Sequence, residues 1–174
     1  MHDNNIHECH YKVNAPYPPV RVDGPNPVYA DKMLSNMGDV VSEMSDITRY
    51  FYIAVVAKPQ FGAIATCFHH ISIVEMHHLN IFAELAMQLG ADPRLWCGRP
   101  RKRWWSPSFI SYPREIYALI AESIEAERAA IRKYTRQANT ICDRNIVAIL
   151  NRIILDEKRH IQIFREMYQQ LQCL

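Results

Sequence analysis

The chain has 174 residues, with 20 Lys and Arg against 18 Asp and Glu and a formal net charge of +2. That balance excludes a histone-like polycation and an acidic solvating tail, and a chain of this length can bury roughly 70% of its unfolded surface in one domain. Only five glycines are present, none of them after Phe109, which favours helices over a many-stranded sandwich. The expected class is therefore all-α. No stretch is apolar for long enough to form a transmembrane helix. Met1-His2-Asp3-Asn4-Asn5 has neither the basic nor the apolar region of a secretory signal. Cys9, Cys67, Cys97, Cys142 and Cys173 form no CxxC pair. They read as reduced thiols, hence a cytoplasmic location, and they exclude a rubredoxin-type iron site.

Residues 1–27 hold Pro16, Pro18, Pro19, Pro25 and Pro27 and are expected as an extended tail anchored by Val20 and Val22, followed by a helical domain over 28–172. The first helix is predicted from Pro27, capped by Asn26, through to about Ala57 before Pro59. Its apolar face reads Leu34, Met37, Val41, Met44, Ile47, Phe51, Ala54 and Val55, with Gly38 as a weak point. A second helix is expected from Phe61 to Leu89, stopped by Gly90, with Cys67, Ile71, Val74, His78, Phe82, Leu85 and Leu89 along one face. Residues 91–113 break the pattern with prolines and place Trp96, Trp104 and Trp105 among Arg94, Arg99, Arg101, Lys102 and Arg103. This reads as a crossover climbing the length of a bundle, in preference to a nucleic-acid-binding face. A third helix is predicted from Pro113 to about Ala138. A fourth follows a capping box of Thr140 and Asp143, with its seam at Ile146, Ile149, Ile153, Glu157, His160, Ile161, Phe164 and Tyr168. Four long helices joined short, long, short give a ferritin-like bundle.

Polar residues interrupt those seams in a pattern. Glu75 with His78, and Glu157 with His160, are two Glu-x-x-His pairs, and such a spacing aims both side chains the same way. Glu43 precedes Tyr50 by seven residues, and Glu127 precedes Tyr134 by seven, a weak internal repeat. The midpoint of 43 and 75 falls at Pro59, and that of 127 and 157 falls at Cys142 beside Thr140, both assigned to turns. Each acid then lies roughly 20–25 Å from its turn at about 1.5 Å per residue, so all four share one level. Four buried carboxylates must be paired, neutralised or metal-bound. Two divalent cations would balance them, with Glu75 and Glu157 bridging, Glu43 and Glu127 terminal, and His78 and His160 completing the shells. Tyr50 and Tyr134 are expected to hydrogen-bond to ligands, and each imidazole to need an acceptor on its other nitrogen. A cluster of His2, His7, Cys9 and His10 in the tail has no rigid ligand spacing, and His69, His70 and His77 read as surface or interface residues.

Ser42-Glu43-Met44 with Tyr50, Ile73-Val74-Glu75-Met76-His77-His78 leading to Leu89-Gly90-Ala91-Asp92-Pro93, and Ile154-Leu155-Asp156-Glu157-Lys158-Arg159-His160 resemble the ferritin-like superfamily over residues 25–172. The likeness is strongest to rubrerythrins, manganese catalases and CotJC-like spore-coat proteins. It implies two Fe or two Mn ions per chain, reacting with hydrogen peroxide or dioxygen in catalase or peroxidase fashion. Ferroxidase or iron-handling activity, and a structural coat protein with a residual site, are the alternatives. The chain departs from rubrerythrins in lacking the Cys-rich electron-transfer domain and in having Ala130 where an additional carboxylate can stand. It departs from manganese catalases in being shorter and in keeping Glu157 beside His160. Peroxidase chemistry would thus need an external electron donor. Further copies of the chain, as a dimer or larger homo-oligomer, complete the expected partners.

Overall fold

The structure is a computed structural model and describes residues 11–97 and 102–172. The tail cluster of His2, His7, Cys9 and His10 lies outside the described residues, as do Arg99, Arg101 and Cys173. The described chain forms α1 (Pro27–Gly38), α2 (Glu43–Val56), α3 (Gly62–Gln88), β1 (Trp96–Cys97), β2 (Arg103–Trp104), α4 (Ile116–Ala138) and α5 (Arg144–Gln172). Hairpin α2/α3 packs on hairpin α4/α5, with α2 facing α4 and α3 facing α5. This is the expected four-helix bundle with a long crossover, except that its first helix comes in two pieces. No described helix is long and apolar enough to cross a membrane.

The break between α1 and α2 corrects the single helix expected over 27–57. Asn26 caps α1 as expected, accepting from the N–H of Val28 and Tyr29. At the other end, Asp39 turns extended and its carbonyl accepts from Ser42 Oγ (2.6 Å) and Ser45 Oγ (3.0 Å). Ser42 then caps α2, so Glu43 becomes its first residue. Lys133 of α4 reaches into the gap and donates to the carbonyls of Ser35 (2.8 Å), which also accepts the Asp39 N–H, and Val41 (2.6 Å). The interruption also changes the helical phase. Leu34 and Met37 are buried, but Phe51 and Val55 are exposed, and the buried face of α2 is Glu43, Asp46, Tyr50, Ile53 and Ala57. Gly38 is required at the break, because a Cβ there would lie 3.0 Å from the carbonyl carbon of Leu95 where the crossover passes.

The second helix follows the sequence closely. All seven residues assigned to its inner face are buried, and Gly90 ends it with φ +93°. Ala91 N–H bonds back to the carbonyl of Ala86, as left-handed helix ends do. Two other boundaries move. Helix α4 starts at Ile116 rather than Pro113, since Pro113 is still in the crossover, where its carbonyl accepts from Tyr52 Oη. Asp143, and not Thr140, caps α5: its carboxylate accepts from Asn145 N–H at 2.9 Å, while the Thr140 hydroxyl bonds back to carbonyls of the preceding turn. The crossover pairs β1 with β2, Trp96 opposite Trp104, and Lys102 sits 3.3 Å above the Trp96 ring. Trp105 donates to Ser45. Trp96 and Trp105 thereby pack on the bundle, while Trp104 stays exposed.

Two apolar clusters fill the interior. One gathers α1, the C-terminal half of α3 and the start of α5. The other gathers the α2/α3 turn, the start of α4 and the end of α5. Each buried Phe or Leu in them is worth roughly 1.5–3 kcal/mol. Val20 and Val22 of the N-terminal segment pack against the first cluster. Between the two clusters lies a layer of buried polar residues.

Candidate metal centre

That layer holds all six sequence-derived candidates. Glu43, Glu75, Glu127 and Glu157 are each 1% exposed, and His78 and His160 are fully buried. The α2 cap presents Glu43, mid-α3 presents Glu75 and His78 one turn apart, α4 presents Glu127, and α5 presents Glu157 and His160. Their ligand atoms form two sets, Glu43, Glu75, His78, Glu157 and Glu75, Glu127, Glu157, His160, each within 4.8 Å across. Glu75 and Glu157 belong to both. Their two oxygens divide between the histidines. His78 Nδ1 lies 2.9 Å from Glu75 Oε2 and 3.4 Å from Glu157 Oε1. His160 Nδ1 lies 2.9 Å from Glu75 Oε1 and 3.1 Å from Glu157 Oε2. Glu43 reaches only the first set and Glu127 only the second.

The residues fit a pair of cations on an observation independent of ligand type. Glu75 Oε1 and Glu157 Oε2, from the two carboxylates common to both sets, are buried without a hydrogen bond and crowd the same single nitrogen, His160 Nδ1. Buried carboxylate oxygens left in that state are costly unless something positive meets them. Two imidazoles and four carboxylates suit iron or manganese, whereas a thiolate site would be needed for softer ions.

Phenols hold the terminal acids in a crossed arrangement. Tyr50, on the helix of Glu43, donates to Glu127 Oε1 at 2.6 Å, and Tyr134, on the helix of Glu127, donates to Glu43 Oε1. Both rings are fully buried. The distal nitrogens of the histidines are met by residues that the sequence reading passed over. His160 Nε2 donates to the Tyr11 carbonyl at 2.9 Å, which turns Nδ1 toward the acids. His78 Nε2 meets Asp156 Oδ2 at 3.2 Å and the Tyr17 hydroxyl at 3.1 Å. Tyr17 also donates to Asp156. Asp156 is fully buried and paired with Arg152 at 2.8 Å, and Arg152 in turn bonds the carbonyls of Val13 and Ala15. The N-terminal segment is therefore a strap across both histidines.

Burial and mutual charge set the protonation of this layer. Burial pushes the Glu43 carboxyl up to about 8 against the pull of His78. Burial raises Glu127 well above the usual range, reinforced by Glu157 and Glu75. It also raises Glu157, reinforced by Glu75. Glu75 is the exception: burial alone would raise it, but His160 and His78 outweigh this and hold it at about 2. Burial would lower both imidazoles, yet Glu157 and Asp156 keep His78, and Glu75 and Glu127 keep His160, well above their ordinary value. Asp46, one turn after Glu43, is a further buried acid. Burial raises it, Arg49 opposes, and Glu127, Glu75 and Glu157 add to the rise. Its counterpart in the α4/α5 hairpin is Ala130.

A rubrerythrin family model matches residues 40–168. The chain belongs to the rubrerythrin family. Among solved structures it is similar to KatB, a manganese catalase from Anabaena PCC7120, with a TM-score of 0.82 and 19% identity over 91% of this chain and 79% of that one. The wild-type KatB structure from Anabaena gives a TM-score of 0.81 at 19% identity, with the same coverage. These likenesses show the ferritin-like fold. No curated protein sequence matches the chain. All six candidate residues of this rubrerythrin-family chain fall within the matched span, and the strap that braces His78 and His160 lies ahead of it.

Proposed function

We propose that the protein is a dinuclear iron or manganese oxidoreductase acting on hydrogen peroxide or dioxygen. Glu43, Glu75, His78, Glu127, Glu157 and His160 would hold the two ions, with Glu75 and Glu157 within reach of both. The observation that carries this reading is the division of the Glu75 and Glu157 oxygens between the two histidines, with one buried oxygen of each acid lacking a hydrogen bond and facing the same His160 Nδ1. The similarity to a manganese catalase supports peroxide as the substrate. When bound, the metal pair would supply a redox couple able to take and return two electrons.

The chain's own residues do the rest. Tyr50 and Tyr134 each tie one oxygen of a terminal carboxylate, leaving the other for a cation. Asp156 and the Tyr11 carbonyl fix the imidazoles in the orientation that turns Nδ1 inward. The apolar clusters on either side exclude bulk water, which strengthens every charge interaction in the layer. Glu43 and Glu127, raised by burial, are groups able to hold a proton at near-neutral pH.

Elemental analysis of protein from its native source should give about two Fe or Mn per chain, and Glu75→Ala and His160→Ala should each lose stoichiometric metal. Oxygen release from peroxide without a reductant would mark catalase chemistry, and dependence on a donor would mark peroxidase chemistry. An empty bundle would overturn the reading in favour of a coat-type protein, and a hollow cage by native mass would favour iron handling. We further read residues 1–27 as a strap on the 28–172 bundle, and the chain as cytoplasmic from cysteines that form no CxxC pair. Exposed Phe51 and Val55 on α2, with Ile73 and Met76 on α3, support a homo-oligomer.

A further inference from the structure

Outside the metal centre, a cavity of about 480 Å³ opens between the strap and α3. It is lined by Tyr11, Lys12, Asn14 and Tyr17 of the strap, together with the α3 residues His70, Ile73, Val74 and His77. Its walls are aromatic and ordered by ring contacts. Tyr11 stacks on His70 at 4.7 Å, and Tyr17 meets His77 edge-on at 4.6 Å. Tyr17 belongs to two places at once. Its ring forms the cavity wall, while its hydroxyl sits 3.1 Å from Nε2 of the metal-site residue His78. The Tyr17 side chain thus reaches from a solvent-facing cavity to the buried histidine.

The lining selects a class of ligand. Flat π faces and the Ile73 and Val74 side chains suit a planar ring, and the volume lies within the range of small-molecule sites. Lys12 and Asn14 offer polar groups to ring hydroxyls. No Asp or Glu appears among the described lining residues, so a cationic ligand finds no counter-charge. Meanwhile, peroxide reduction demands two electrons, and the sequence holds no CxxC pair for an iron centre of its own to deliver them.

We infer that this cavity binds a hydroxylated aromatic reductant of the hydroquinone or catechol class, which feeds the metal centre through Tyr17 and His78. The inference rests on the proposed peroxide chemistry. In one turnover both O–H bonds of the hydroquinone break, and it leaves as the quinone after giving up two electrons and two protons. The O–O bond of hydrogen peroxide breaks, and those electrons and protons complete two waters. Tyr17 is a positioning residue for electron entry.

The test begins with 1,4-hydroquinone and metal-free protein, followed by NMR. Saturable shifts confined to the His70, Ile73 and His77 signals are expected. Ile73→Trp, which fills the cavity, should weaken them at least about tenfold while circular dichroism remains that of wild type. With metal loaded, Tyr17→Phe should lower kcat for hydroquinone-dependent peroxide consumption by about tenfold or more, with KM for hydroquinone little changed, because the ring stays and only the hydroxyl is lost. No binding to the wild-type chain, or binding indifferent to Ile73→Trp, overturns the cavity assignment even if peroxide is still consumed without a donor. Unchanged kcat in Tyr17→Phe overturns the route. Intact binding in a metal-loaded protein that consumes no peroxide under any condition overturns the functional reading, and with it the donor role.

Discussion

His78 and His160 occupy matched positions but are braced by different means. A main-chain carbonyl, that of Tyr11, accepts from His160, whereas a side chain, Asp156, accepts from His78. Asp156→Asn should therefore weaken one ion more than the other. We expect total metal affinity to fall about 10- to 100-fold while helix content is kept, measured by competition with a chelator of known affinity. A uniform loss of both ions would contradict the asymmetry. That the six candidate residues meet in one buried layer was readable from sequence, because a carboxylate on an apolar helical face is too costly to bury without a positive partner. Asp156 was not, since it stands in the run Asp156-Glu157-Lys158-Arg159, whose composition matches a solvated face. Only the arrival of Tyr17 and Val13 from about 140 residues earlier buries it, and no local pattern announces a contact of that range.

Helix α3 could be read residue by residue, because one uninterrupted period runs from Gly62 to Gln88. The α1–α2 break could not, since Leu34, Met37, Val41 and Met44 keep a helical spacing across residues that are not helical. The signals that mark it, Gly38 followed by Ser42 and Ser45, are short and acquire meaning only when Lys133 and the crossover arrive. Gly38→Ala should cost about 1–3 kcal/mol, because the displaced atoms belong to the Leu95 backbone and cannot rotate aside. Gly62→Ala, with open space around its Cβ, should be neutral or stabilising by up to about 1 kcal/mol. Chemical denaturation of the two variants checks the contrast. Equal effects would mean that the close approach at Leu95 does not constrain the break.

The bundle as a unit carries its charge layer between two apolar clusters, and this gives its stability a distinctive pH dependence. In metal-free protein, Glu43, Glu127, Glu157, His78 and His160 hold protons more tightly when folded than when unfolded. Groups raised in this way stabilise fully below their unfolded values and lose that contribution as pH climbs through their folded ones. Glu75 and Asp156, both lowered, act in the opposite sense and matter only as pH falls below the ordinary carboxylate range. Metal-free Tm should thus decline between about pH 5 and pH 9, whereas metal-loaded Tm should rise over the lower part of that window, because cations require deprotonated ligands. Parallel thermal melts of both forms provide the check, and curves of the same slope would contradict the assignment.

The crossed phenols have one more consequence. Each hairpin's terminal acid is completed by a hydroxyl from the other hairpin, as two identical hairpins would do about a dyad. Joining both halves in one polypeptide frees them to differ, and among the buried residues of this layer Asp46 stands against Ala130. For the proposed pair of ions the two positions are in this sense siblings rather than twins, and sequential loading, with one ion entering before the other, is the expected behaviour.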